Sequence, residues 1–159
     1  MAKQDKQKPE HMLRITNRRA THDYFIEVKV ECGVVLVGTE VKSLRAGLGQ
    51  INDAFAQLRQ GELYLVNSYI DPYTKAAIVY NHEPRRERKL LIHKRERLKL
   101  EEEMETKGTT LIPLAMYFKD GKVKVEIGVG RGKQRHDKRE AIKRAEVDRE
   151  IKRAMTIRQ

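Results

Sequence analysis

The sequence predicts a mainly β fold: a small closed barrel with two or three flanking helices and a basic C-terminal tail. Three observations carry that prediction. Short runs of alternating apolar residues recur along the chain, as in YFIEVKVE (24–31) and KVKVEIGV (122–129), which is strand period. Glycines and the pairs Asp71-Pro72 and Asp120-Gly121 bend the chain between the runs, and many short strands with such bends suit a small barrel. From Arg131 to Gln159, eleven basic residues face five acidic ones, so +6 of the net +11 sits in a segment with little material for a core.

The elements follow in order. Residues 1–13 are polar and lysine-rich, and disorder is expected. TNRRATHDY (16–24) reads as a short helix capped by Thr16 or Asn17. YFIEVKVE reads as a strand that turns at Cys32-Gly33 and returns as a buried strand, VVLVG. TEVKSLRAG (39–47) changes to helical spacing, with Thr39 as its cap and Gly47 as its stop. QINDAFAQLRQ and ELYLVNSYI are short pieces on either side of Gly61, and AAIVY (76–80) reads as a short strand or a loop. NHEPRRERKLLIHKRERLKLEEEME (81–105) starts extended at Pro84 and becomes helical, ending at Lys107-Gly108. TLIPLAMYFKDGKVKVEIGVG is the strongest local pattern, two alternating strands joined through Asp-Gly hairpin chemistry. The Gly128–Gly132 stretch reads as a flexible exit from the barrel. After it, Asp137 and Glu140 have capping-box spacing, and Glu140 with Arg144 and Asp148 with Lys152 form favourable pairs. Val147, Ile151, Ala154 and Met155 give that helix only a thin apolar stripe, which suits folding on a partner better than standing alone.

The 159 residues fit one domain with an appendage, here 14–130 and 131–159. Charged residues make up 36% and hydrophobic ones 39%, and the net charge of +11 points to a polyanionic partner. Size and charge together fit a barrel of the oligonucleotide-binding type. The longest apolar runs, such as VVLV (34–37), are too short to span a bilayer, and the N-terminus lacks a secretory apolar region. The lone Cys32 has no partner for a disulfide or a zinc site, so a cytoplasmic setting is expected.

No constellation for catalysis is visible. The histidines, at 11, 22, 82, 93 and 136, lack the spacing of helix-borne metal ligands. Gly128-Val129-Gly130-Arg131-Gly132 lacks the Gly-Lys-Ser/Thr of a phosphate loop. No enzyme, cofactor or metal is expected. What remains is two basic clusters, Arg85, Arg86, Arg88 and Lys89 with His93 and Lys94, and Lys138, Arg139, Lys143 and Arg144 in the tail.

Four motifs carry a family. GTEVKSLRAG (38–47), DPY (71–73), EPRRERKLLIHKRE (83–96) and GKQRHDKRE (132–140), in that order, strongly resemble small protein B, the SsrA-binding protein family of bacterial trans-translation. The resemblance runs from about Asn17 into the tail. It implies an oligonucleotide-binding barrel and a tail that is unstructured in solution. It further implies binding to the tRNA-like domain of transfer-messenger RNA and delivery of that RNA, charged with alanine, to ribosomes stalled on messages without a stop codon. The tail would enter the small-subunit decoding region and the empty message channel as a helix. Carried over by position, the RNA-contacting face would include Glu31, Leu91 and Lys124, extended through Lys42 and Arg45, with Arg18, Arg19, Arg86 and Lys89 among the cations. The ribosome-binding tail would use Lys133, His136, Asp137, Lys138, Arg139, Lys143 and Arg144. The last turn departs from the family's isoleucine–methionine–lysine and reads Ala154-Met155-Thr156-Ile157. A ribosomal or ribosome-assembly protein with the same basic fold is the alternative on partner choice.

Overall fold

The computed structural model describes residues 13–157. Most of the segment expected to be disordered, residues 1–12, and Arg158 of the tail lie outside them.

The chain forms β1 (Arg14–Thr16), α1 (Arg18–Asp23), β2 (Tyr24–Val34), α2 (Gly38–Arg45), β3 (Gly49–Gln50), β4 (Phe55–Arg59), β5 (Glu62–Val66) and β6 (Tyr69–Ile70). β7 (Arg88–Leu91), α3 (Lys94–Met104), β8 (Thr109–Lys119), β9 (Lys122–Gly132) and α4 (Arg135–Ile157) complete it. Seven strands make one antiparallel sheet in the order β1-β8-β4-β5-β7-β2-β9, and β9 also pairs with β8. β3 and β6 form a small separate ribbon. Alternation decides what is inside: Val30 and Cys32 of β2, Leu63 and Leu65 of β5, Leu90 of β7, and Val125, Ile127 and Val129 of β9 share one buried cluster. A second, smaller cluster of Ala20, Ile112 and Leu114 lies under α1.

Asn17 caps α1: its Oδ1 accepts from the Ala20 N–H at 3.2 Å. Its Nδ2 donates to the carbonyls of Ile51 (3.3 Å) and Pro113 (3.0 Å), so one side chain ties the helix to two other parts of the body. The β8–β9 hairpin turns through Asp120 (φ 52°) and Gly121 (φ 71°), two left-handed residues in succession, as an Asp-Gly type I′ turn requires.

Three expectations are corrected and one is decided. Cys32-Gly33 is not a turn. β2 runs straight through it to Val34, with Cys32 buried opposite Val125 and Gly33 on the outer face. Val35 and Val37 lie beyond the strand and are exposed. Of the two readings of AAIVY, the loop is the one observed; Ile78–Tyr80 is an exposed 3-10 turn, held at its base by Asn81, whose side chain bonds both the N–H and the carbonyl of Tyr73. Thr39 does not cap α2, because its hydroxyl meets His82 Nδ1 at 2.9 Å; instead Glu40 accepts from the Val37 N–H at 3.0 Å. The glycines after Ile127 are not a flexible exit. They lie inside β9, where a Cβ on Gly130 would come within 2.7 Å of Ile112 Cδ1 and 3.0 Å of Tyr24 Cβ.

Arg88 and Glu40 lie in the interior without exposed surface. Arg88 Nη2 stands 2.8 Å from Glu40 Oε1, and Nη1 donates to the Ser68 hydroxyl and the Ser68 and Arg86 carbonyls. Arg86 reaches the same carboxylate from outside at 2.7 Å. Burial acts to raise the Glu40 pKa, but the hydrogen bonds from Arg86 and the Val37 N–H and the charge of Arg88 outweigh it and hold the carboxyl below its ordinary value. The pair locks α2 to β7.

α4 stands differently. Its base is tied to α1 and its end: the Lys133 N–H donates to the Asp23 carbonyl (2.9 Å), Lys133 Nζ to the Thr21 carbonyl (2.9 Å), and Lys138 Nζ lies 3.4 Å from Asp23. Asp137 accepts from the Gln134 N–H at 3.2 Å, the backward half of a capping box. Glu140 pairs with His136 rather than Arg144, at 3.3 Å. Among the described residues no helix is long and apolar enough to cross a membrane.

Candidate nucleic-acid interface

Strand register builds the site. Gly33 of β2 is paired with Leu91 of β7 on one side and Lys124 of β9 on the other. Lys124 is in turn paired with Tyr117 of β8, and Tyr117 with Arg14 of β1. Leu91, Gly33, Lys124, Tyr117 and Arg14 therefore form one row across five strands. Their inward neighbours Leu90, Cys32, Val123, Val125, Met116 and Phe118 are buried, so the row faces out. Glu31, two residues before Gly33, shares that face.

A groove of about 660 Å³ runs over the Leu91, Gly33 and Lys124 end of the row, lined also by Glu31, His93 and Glu96 among others. Gly33 gives the floor no side chain. Leu91 stands beside it, 54% exposed, an apolar platform that a sheet would bury if it were only structural. Glu31 is fixed: Tyr117 Oη donates to its Oε2 and Lys119 Nζ to its Oε1 at 3.1 Å. The Tyr117 hydrogen bond first, then that of Lys119, holds the Glu31 carboxyl below its ordinary value, so the group is a charged acceptor at neutral pH. Glu31, Leu91 and Lys124, nominated together from the sequence, thus line one groove.

The other nominated residues spread around it. Lys42 of α2 lies over the Tyr73 ring at 5.2 Å and lines a second groove with Tyr80, His82 and Arg86. Arg45 is exposed at the end of the same helix. Arg86 is engaged with Glu40, and Lys89 pairs with Glu62 at 2.6 Å on the adjoining sheet face. Arg88, grouped with them by sequence, belongs to the interior. Arg18 and Arg19 are exposed on α1, and Arg19 meets Asp53 at 3.1 Å. In the tail, Lys133, Asp137 and Lys138 are the engaged residues described above, while Arg139, Lys143 and Arg144 lie exposed along α4. Cys32 offers no nucleophile, because burial pushes its thiol up to about 12.

Gly33 and Tyr117 were missed as site residues. In the sequence, Cys32-Gly33 carries the signal of a turn. Tyr117 was legible in principle, since alternation in MYFK places it outward with Lys119, but its meeting with Glu31 depends on cross-strand register.

A strongly basic, mainly β protein in which a groove over the sheet sets an apolar platform beside cations and a fixed acceptor is of the nucleic-acid-binding class. Comparison with known proteins is specific. A profile of the SmpB protein family matches residues 14–157. The SsrA-binding protein of Geobacillus sp. (strain WCH70) is 50% identical over 152 residues, covering 96% of this chain and 97% of its own. That of Limosilactobacillus reuteri (strain DSM 20016) is 49% identical over 155 residues, 98% of each chain. A solved structure described as "tmRNA-SmpB: a journey to the center of the bacterial ribosome" is 50% identical, with a TM-score of 0.66 over 84% of this chain and 96% of that one. The chain belongs to the SmpB protein family.

Proposed function

We propose that this protein binds the tRNA-like domain of transfer-messenger RNA and delivers it to stalled ribosomes, as a binding protein without catalysis, in the cytoplasm. The single observation that carries the reading at the level of residues is the groove that gathers Glu31, Leu91 and Lys124. Each has a distinct part there. Lys124 neutralises phosphate, Leu91 packs against a sugar or base face, and Glu31 accepts from guanine N–H groups or a 2′-OH, donors that phosphate contacts do not discriminate. Lys42, Arg45, Arg18, Arg19, Arg86 and Lys89 extend the positive field around it. The body is read as a closed barrel of the oligonucleotide-binding type, supported by the β8–β9 pairing that links the last strand of the sheet back to the second.

The tail has the second part. Lys133 stands just before its helix, which carries His136, Asp137, Lys138, Arg139, Lys143 and Arg144, and whose large apolar residues Ile142, Val147, Ile151, Met155 and Ile157 are exposed. It is read as disordered or marginal when free and as a helix in the decoding region and message channel of the small subunit, where phosphate and base contacts offset the cost of ordering. His136 stacks on a base there.

Pulldown from bacterial lysate tests the reading: a single small RNA with a tRNA-like end should be enriched, whereas ribosomal RNA alone would favour a ribosome-assembly role. Affinity for the isolated tRNA-like domain should exceed that for duplex of equal length. It should fall by roughly 0.7–0.9 log units per tenfold salt for each phosphate neutralised; a flat response contradicts a phosphate-tracking face.

A further inference from the structure

We infer that Tyr117 is a positioning residue for RNA recognition: its phenolic hydroxyl holds the Glu31 carboxylate at the edge of the groove as a preset acceptor for an RNA donor. This rests on the reading of the groove as the RNA face.

Tyr117 is paired with Lys124, whose other neighbour is Gly33 at the groove floor. Its ring therefore stands one strand away from the groove, beside the cation that lines it. From there the hydroxyl reaches diagonally to Glu31 Oε2. The ring itself is braced by Arg14, whose guanidinium lies 5.0 Å from its centroid and 3.8 Å from Glu126. Tyr117 is half-buried on the outer face, and the flanking Met116 and Phe118 point inward and are buried, so its backbone is fixed by the core.

A glutamate on a β-strand has three side-chain torsions, and one left free in solvent samples many orientations. Ordering it at the moment of binding costs conformational entropy. Tyr117 removes that cost beforehand, because it is anchored by packing and carries its donor on a rigid ring. Lys119 plays a different part. Its chain is long and more than half exposed, and its Nζ reaches Oε1 at 3.1 Å and, more weakly, Oε2 at 3.4 Å. On binding, an RNA phosphate can take the lysine, and Oε1 is then open to a base N–H or a 2′-OH while Tyr117 keeps Oε2 in place. Burial, then the hydrogen bond to Glu31, pushes the phenol up to about 12, so it remains a donor throughout the neutral range.

The other carboxylate of the groove is the contrast. Glu96 lines it from the first turn of α3 and has no hydrogen bond or ion pair among the described residues. It has no device to fix its direction, which marks the Tyr117–Glu31 contact as specific to one of two acidic side chains in the same groove.

The test is a double-mutant cycle on the full chain, with Tyr117→Phe, Glu31→Gln and both together. Affinity is measured for transcribed tRNA-like-domain RNA and for an unrelated duplex of equal length. Tyr117→Phe should keep the melting curve and the salt slope and weaken the tRNA-like complex by about tenfold, the scale of one hydrogen bond to a charged group. Duplex binding should not change, and the double variant should be no weaker than Glu31→Gln alone. Wild-type binding by Tyr117→Phe, equal loss for both RNAs, or additive losses would overturn the inference while leaving the groove reading standing. If Glu31→Gln itself bound both RNAs as wild type does, the reading of the groove would fall first and the inference with it.

Discussion

The body and the C-terminal helix are both basic, but only one of them has an interior. In the body, Leu65, Leu111, Val125 and Ile127 have no exposed surface, and even a charged pair, Glu40 with Arg88, is enclosed. In α4, Val147, Ile151 and Met155 are 53%, 48% and 67% exposed, and the ion pair that ties it to the end of α1 is made by Lys138 in its first turn. A helix with that profile derives little stability from the chain it belongs to. The contrast separates two ways of using cations. On the body, strand register sets Lys124 in a shaped groove, with cations of α1 and α2 around it, an arrangement expected to carry selectivity. On the tail they are strung along a helix whose large apolar side chains are exposed.

The largest effect should come from breaking the interior of the body. Glu40→Ala leaves Arg88 buried and unpaired and should cost about 3–5 kcal/mol in thermal or urea unfolding, whereas removing α4 should leave the transition almost unmoved. The same carboxylate gives the contrast a pH dependence. The pKa of Glu40 is lower in the folded protein than its ordinary 4.5, so its contribution is complete above the unfolded value and is lost as pH falls through the folded one. Acid titration of stability should therefore show a limb below about pH 4.5 that the Ala variant lacks, and parallel curves would remove Glu40 from the account.

Gly33→Val comes next. It fills the groove floor between Leu91 and Lys124 while keeping strand propensity. It should weaken tRNA-like RNA binding by at least about tenfold, or roughly 1.4 kcal/mol, without unfolding the protein. Unchanged binding would move the RNA face away from this groove. Asn17→Ala should cost about 1–2 kcal/mol, because it removes the cap of α1 together with two bonds to the body. A smaller change would mean that α1 is as loosely held as the tail. The smallest effect belongs to α4 itself: Glu140→Ala should shift stability by no more than about 0.5 kcal/mol. A clear drop in melting temperature would show that α4 packs on the body after all.

These two regions were not equally legible in the sequence. The β8–β9 hairpin and the α1 cap were readable because alternation, Asp-Gly and a short polar cap are local signals. β2 was misread because a glycine in a strand gives the same signal as a turn, and only its pairing with β7 and β9 shows that it leaves space for a groove. Arg88 was misread for a related reason. In EPRRERK the cations look alike, and which of them points inward is set by the pairing of β5 with β7 and by a carboxylate 48 residues earlier, in α2. Glu31, Leu91 and Lys124 came from family resemblance, since nothing local distinguishes them. Tyr117 needed three-strand register. In the tail, the lack of core material was readable from composition and the helix from the spacing of Asp137 and Glu140, while its role came from family resemblance.

The central claim, that the body selects the RNA and the tail serves only the ribosome, is tested most directly with a chain ending at Gln134. That end keeps β9 through Gly132 and the Lys133 contacts with Asp23 and Thr21, and removes α4. Affinity for tRNA-like-domain RNA and peptide tagging on stalled ribosomes are measured on the same preparation. The account predicts wild-type affinity with tagging abolished, a defect that Ala at Asp137, Lys138 and Arg139 together should reproduce in the full-length chain. Loss of affinity for free RNA on truncation, or tagging that persists without α4, would contradict it.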